Sequence, residues 1–264
     1  MSQKILTALV LCLAVCCVAF AGCTGSDSKT PAQSGAEEKP TYVVGIDAPY
    51  PPFSIMGKDG KPTGFDTETM LWIAEKEGFN VEFKQIAFES LVPALKGKNI
   101  DLVHSSMTIT PERLEQVNFS IPYWTVNQTV IAREGSALTM DDVLAGKATI
   151  GTQRGTTAEI WIDENLVQKG LMDKKNLKHH DNIANAVTDL QNGNIDAVMF
   201  DSTVINDVIA GKKLQKIGSV DTGEQFGIAV RKGDNELLAT INDGLEKFMN
   251  DPYRQELIQK YKME

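Results

Sequence analysis

Two stretches far apart in the chain share one pattern, and that pattern limits the folds open to it. Gly97-Lys98-Asn99-Ile100-Asp101-Leu102-Val103 in the first half is echoed by Gly193-Asn194-Ile195-Asp196-Ala197-Val198-Met199 in the second. Each is a helix-stopping glycine, a polar turn, then Ile-Asp leading into an apolar strand. A helix that ends on glycine and feeds a buried strand is part of a βαβ unit. Its recurrence points to two similar α/β lobes rather than one continuous sheet.

The flanking sequence fills in both lobes. In the first, residues 42–46 and 100–104 read as buried strands and 81–86 alternates as a strand. Asp66 is expected to cap a helix running to Glu77, with Gly78 as its stop, and 90–96 is a second helix stopped by Gly97. This rhythm predicts largely parallel pairing. In the second, strands are expected at 148–151, 195–200, 214–217 and 226–230, and helices at 156–169, 183–192 and 204–209. Helices at 235–249 and 252–261 close the chain, with Pro252 suited to a first helical turn. Ligands of open α/β sheets sit beyond the carboxyl ends of the strands, so two such lobes face to face enclose a cleft.

The first 22 residues are a different material. Lys4 is their only charge, and residues 5–21 are apolar, cysteine or threonine. That reads as a secretory signal; the run is short for a membrane span and no charged cluster follows it. Phe20-Ala21-Gly22-Cys23 resembles a lipobox, with Phe20 where an aliphatic residue is usual, and makes Cys23 the expected lipidation site and membrane anchor. Cys12, Cys16 and Cys17 lie inside the signal, so the mature chain keeps one cysteine, and no disulfide or cysteine metal site is expected. Removing the signal takes away Lys4 alone and moves the net charge from -9 to -10. This acidity, with no basic run, argues against nucleic acid as a partner. Residues 23–41, rich in Ser, Thr, Gly, Pro and Glu, read as a flexible tether.

Four segments carry a family resemblance: residues 45–53 (GIDAPYPPF), Gly64-Phe65-Asp66, residues 105–113 (SSMTITPER) and residues 195–201 (IDAVMFD). In this order and spacing they resemble the family 3 extracellular solute-binding proteins, the amino-acid receptors of ABC importers. The resemblance spans about residues 42–261. It implies an α/β, two-lobed periplasmic-binding-protein (type II) fold with two interlobe crossovers, near 125–128 and 221–224. Lobe 1 would hold 42–126 plus 225–264, and lobe 2 would hold 127–224. The implied partners are a free amino acid and the importer's permease subunits, with a monomeric chain and no cofactor.

A free amino acid needs a carboxylate clamp and an ammonium clamp. Arg113 suits the first, because its planar fork makes two parallel charge-assisted bonds. The plainer alternative is a surface ion pair with Glu112 or Glu115. Thr108 can add a hydroxyl donor, and Ser105 and Ser106 hydroxyl or carbonyl groups. Asp201, at the end of a strand, is the candidate for the ammonium, or a simple helix cap. The resemblance implies that Asp201 binds the α-amino group, that Thr157 reaches the carboxylate from lobe 2, and that Tyr50 and Phe88 pack on the ligand side chain. An acid at Asp47 implies a polar or basic side chain. Gln153 is placed near that side chain, and so is Arg154, which would oppose a cation. Ala158 and Phe200 depart from the polar residues common at their positions.

Other chemistries fit less well. Asp101, His104 and Ser105 are triad ingredients on one strand, but neighbouring strand residues face opposite ways. His179-His180 lacks a third ligand and reads as an exposed turn. A dehydratase similar to the periplasmic cyclohexadienyl dehydratases would need an acid in the cleft, with Glu159 the nearest candidate. A co-receptor for a signalling partner is the third reading.

Overall fold

The computed structural model describes residues 39–263. The expected signal (1–22), Cys23 and all but the end of the tether lie outside them. In chain order the strands are β1 (Thr41–Ile46), β2 (Ile55–Met56), β3 (Pro62–Thr63), β4 (Asn80–Gln85), β5 (Leu102–Val103), β6 (Val117–Phe119), β7 (Trp124–Arg133), β8 (Ile150–Gln153), β9 (Leu177–His180), β10 (Ala197–Asp201), β11 (Leu214–Phe226) and β12 (Ala229–Arg231). The helices are α1 (Phe65–Glu77), α2 (Phe88–Lys96), α3 (Pro111–Gln116), α4 (Met140–Leu144), α5 (Thr157–Ile162), α6 (Ile183–Asn192), α7 (Ile205–Ile209), α8 (Asn235–Met249) and α9 (Pro252–Lys260).

Two five-stranded sheets result, ordered β4-β1-β5-β12-β6 and β11-β7-β10-β8-β9, with a small β2–β3 hairpin. The chain leaves the first sheet after β6 and returns to it in β12, so it crosses twice. Both passages run through the antiparallel β7–β11 ladder, from Leu214 opposite Arg133 to Phe226 opposite Trp124.

Pairing across the two sheets is mixed, while the strands of the first βαβαβ run keep the expected parallel pairing. β1 runs parallel to β4 and β5, and β8 runs parallel to β9 and β10. β12 is antiparallel to β5 and β6, and β7 to β10 and β11. Parallel neighbours need a crossover connection, which the βα units supply. β7 and β12 arrive from the opposite sheet and lack one.

Three local expectations give way. Asp66 does not cap α1: Gly64 takes the cap position, and the buried Asp66 carboxylate turns inward to Ser106 and Tyr123. The expected helix at 156–169 is α5 followed by a wider π turn, Asp163–Val167. His179 and His180 belong to strand β9, not an exposed turn. His180 Nε2 lies 2.9 Å from Asp189 Oδ2 and His179 Nε2 lies 3.0 Å from Glu159 Oε1.

Glycine sets one close approach. A Cβ on Gly244 in α8 would lie 2.5 Å from Ile73 Cγ2 of α1, so the two helices pack tightly over the first sheet.

Candidate functional site

A cavity opens where the two sheets face one another. It is lined by Asp47, Tyr50, Phe88, Ser105, Ser106, Thr108, Arg113, Gln153, Thr156, Thr157 and Asp201. The ten residues expected from sequence all lie there, and Thr156 joins them. Asp47 and Tyr50 follow β1, Phe88 opens α2, and Ser105 to Thr108 follow β5. From the other sheet come Gln153 at the end of β8, Thr156 and Thr157 at the start of α5, and Asp201 at the end of β10. Each side chain sits at or after the carboxyl end of a strand, where βα turns converge.

Arg113 is held by its own helix start. Thr110 caps α3, its Oγ1 accepting from Arg113 N at 3.2 Å, and Pro111 takes the first turn. The side chain is buried. Nη1 donates to Thr108 O at 2.6 Å and Nη2 to Gly155 O at 2.9 Å, so one guanidinium touches both sides of the cleft. Its central carbon stands 5.4 Å from the Phe88 ring centre. No carboxylate comes within ion-pair distance of it among the described residues, so the expected alternative of pairing with Glu112 or Glu115 is not adopted. Burial lowers its pKa to about 10, which leaves it charged at neutral pH.

Two acids face it across the cavity. Asp201 Oδ2 accepts from the Tyr50 hydroxyl at 2.5 Å, and Oδ1 accepts from Gln128 Nε2 at 2.8 Å. It precedes a short 3₁₀ turn, Ser202–Val204, but makes no side-chain cap there, so the capping alternative fails. Burial raises its pKa to about 6, against the lowering effect of the Tyr50 bond. Asp47 Oδ2 accepts from Gln153 Nε2 at 2.6 Å and Oδ1 from Gln85 Nε2 at 3.2 Å. Burial raises it also to about 6. Arg154 turns away and pairs with Glu89 at 2.9 Å, so it adds no positive charge to the cavity lining.

Sequence reasoning missed Glu224 and Gln128. Glu224 Oε2 accepts from the hydroxyls of Thr108 at 3.0 Å and Thr157 at 2.5 Å. Its Oε1 accepts from Gln128 Nε2 at 2.9 Å and Thr222 Oγ1 at 3.0 Å. One carboxylate on β11 thus gathers donors from both sides of the cleft. Its one sequence signal was its place at the expected second crossing.

The set-aside chemistries disperse. Ser105 Oγ accepts from Asp47 N, Asp101 Oδ2 accepts from Val43 N, and His104 is fully buried. Glu159, the candidate expected for a dehydratase acid, accepts from Gly155 N at 2.5 Å and does not line the cavity.

Known proteins resemble this chain over most of its length. The model of "Bacterial extracellular solute-binding proteins, family 3" matches residues 42–264. An L-arginine-binding protein of Pseudomonas aeruginosa is 35% identical over 83% of this chain and 87% of its own. A probable histidine-binding protein of Neisseria gonorrhoeae is 30% identical over 98% of this chain and 95% of its own. Among solved structures, an ancestral arginine-binding protein bound to arginine superposes with a TM-score of 0.77 at 35% identity, covering 84% of this chain and 98% of that one.

Proposed function

The chain belongs to family 3 of the bacterial extracellular solute-binding proteins, and from that premise we propose that it captures a free amino acid for an ABC importer. The observation that carries this is the opposition of one buried cation and one part-buried anion across a single cavity. Arg113 takes the α-carboxylate and Asp201 the α-ammonium, while Tyr50 and Phe88 flank the side chain. Ser105, Ser106, Thr108 and Thr157 complete the ring around the ligand backbone.

The charge count narrows the ligand. The lining holds Asp47, Asp201 and Arg113. A zwitterion pairs with the last two and leaves Asp47, with Gln153 beside it, for the side chain. That favours a basic or polar amino acid, arginine first. The arginine- and histidine-binding relatives support the same class.

The two sheets are the moving lobes, residues 42–126 with 225–264 and residues 127–224, hinged in the β7–β11 ladder. Ligand contacts from both lobes favour the closed form, which a permease distinguishes from the open one by population shift. The protein works as a monomer without cofactor or catalysis, tethered by an acylated Cys23. Replacing Cys23 by serine should release it from membranes; a variant that stays membrane-bound would reject the anchor.

The test is thermal stability of residues 41–264 against the twenty amino acids. A ligand of the native state stabilises it by about 4 kcal/mol at a thousandfold excess over Kd. A shift with arginine or other basic and polar members supports the reading. Folded, ligand-stripped protein that responds to none would overturn it.

A further inference from the structure

Ser106 lies in the cavity lining in a conformation uncommon for serine. Its φ is 48°, in the left-handed region where a Cβ is disfavoured. What holds it there is Asp66, fully buried in the first turn of α1. Asp66 Oδ2 accepts both the Ser106 N–H at 2.7 Å and the Ser106 hydroxyl at 3.0 Å. Its Oδ1 accepts from the Tyr123 hydroxyl at 3.0 Å, and the His104 ring packs edge-on against Tyr123.

Asp66 is itself fixed by the two residues before it. Gly64 has φ 113°, and a Cβ there would lie 2.3 Å from Phe53 O. Phe65 N donates to Pro52 O and Asp66 N to Phe53 O, both at 3.0 Å. The helix start is thus tied to the loop that carries Tyr50. The sequence Gly64-Phe65-Asp66 has no side chain in the cavity lining, yet it braces two parts of that lining.

The consequence is chemical. Ser106 owns two polar hydrogens, and both point at Asp66. Towards the cavity it offers oxygen alone, which accepts from a cation and repels a carboxylate. We infer that Asp66 is a positioning residue of the ligand site, holding Ser106 left-handed so that its backbone presents an acceptor to the α-ammonium of a bound amino acid. This rests on the amino-acid reading above and goes further, because it gives the buried aspartate a part in recognising one end of the ligand.

Glycine supplies the test, since it adopts positive φ without help. The mature full-length chain is titrated by calorimetry with L-arginine and with 5-guanidinopentanoate, which lacks only the α-amino group. Asp66→Ala should weaken arginine at least about tenfold and leave the des-amino compound within about threefold, because a methyl group accepts from none of the three donors and releases Ser106. Adding Ser106→Gly to Asp66→Ala should recover most of the lost arginine affinity. A purely structural aspartate gives no such recovery. Should Asp66→Ala fail to fold, the single variants decide: Ser106→Gly should bind arginine more tightly than Ser106→Ala, because glycine alone takes positive φ without help.

Equal loss for both compounds without recovery, unchanged arginine affinity in Asp66→Ala, or alanine binding better than glycine at 106 would each overturn the inference. A wild-type chain that binds no amino acid at all fails at an earlier step, and takes the inference down with the function it rests on.

Discussion

The Tyr50 hydroxyl donates to Asp201 Oδ2 at 2.5 Å from the far side of the cleft: Tyr50 follows β1 of one sheet and Asp201 ends β10 of the other. Burial and the neighbouring carboxylate keep the phenol protonated, its pKa well above the usual value. With Gln128 on Oδ1, Asp201 is oriented by two neutral donors and keeps its charge for a third.

Asp201→Asn should therefore separate the two ends of the ligand. Removing one partner of a buried charge pair costs about 2 kcal/mol or more, roughly thirtyfold in Kd. That loss is expected for L-arginine but not for 5-guanidinopentanoate. Calorimetric titration of both decides it; equal losses would reject an ammonium role.

Arg113→Ala should abolish amino-acid binding. It removes a buried cation and frees two carbonyls, Thr108 O and Gly155 O, on opposite sides of the cleft. A loss of about 3 kcal/mol or more in binding is expected, with a cooperative melt retained. Unchanged affinity would sink the site.

Glu224→Ala leaves the donors of Thr108, Thr157, Gln128 and Thr222 without their shared acceptor. Denaturant melts of the ligand-free domain should show a loss of about 2 kcal/mol, and Glu224→Gln a smaller one because the amide keeps one acceptor. An alanine variant as stable as wild type would remove Glu224 from this role.

Protonation should act in opposite directions on folding and on binding. Burial raises Asp47, Asp66 and Asp201 from 3.8 to about 6. Each therefore contributes stability that is fully present below its unfolded value and lost as pH rises through about 6. Ligand-free stability should gain from them as pH falls towards about 4. His104, lowered by burial from 6.5 to about 3, offsets part of that gain: its contribution is present above 6.5 and lost as pH falls. Arginine binding needs Asp47 and Asp201 ionised, so Kd should weaken by about tenfold or more per unit below about pH 6, with protons released on binding. A Kd that is flat from about pH 8 to pH 5 contradicts this.

Much of the fold was legible because its signals are local. Gly78 and Gly193 end α1 and α6 in the left-handed conformation. The apolar stripe of α6 runs over the span expected for it, Ile183–Asn192. Strand β7 and most of β11 were not legible. β11 alternates between half-buried and exposed residues along most of its length and carries Gly218 and Gly223, so it shows no apolar run and reads locally as turns. Its extended form comes from its partner β7, whose own edge it completes.

The residues at the cavity were legible for a different reason. They sit at or after strand ends in short motifs, so a recognised order of segments located them. Asp66 was misread because a carboxylate at a helix start ordinarily caps it, and only the fold brings Ser106, forty positions away, to turn it inward. Glu224 was passed over because its four donors come from positions 108, 128, 157 and 222.

By itself, the sequence determined the alternation of strands and helices and its recurrence in two halves, because each depends on neighbours a few positions away, while the order of recognised segments located the residues at strand ends. Tertiary structure alone decided the mixed pairing of the sheets, the role of Glu224 and the inward turn of Asp66. Those depend on which distant donor meets which acceptor once both are buried, and a buried polar group takes whatever partner the fold delivers.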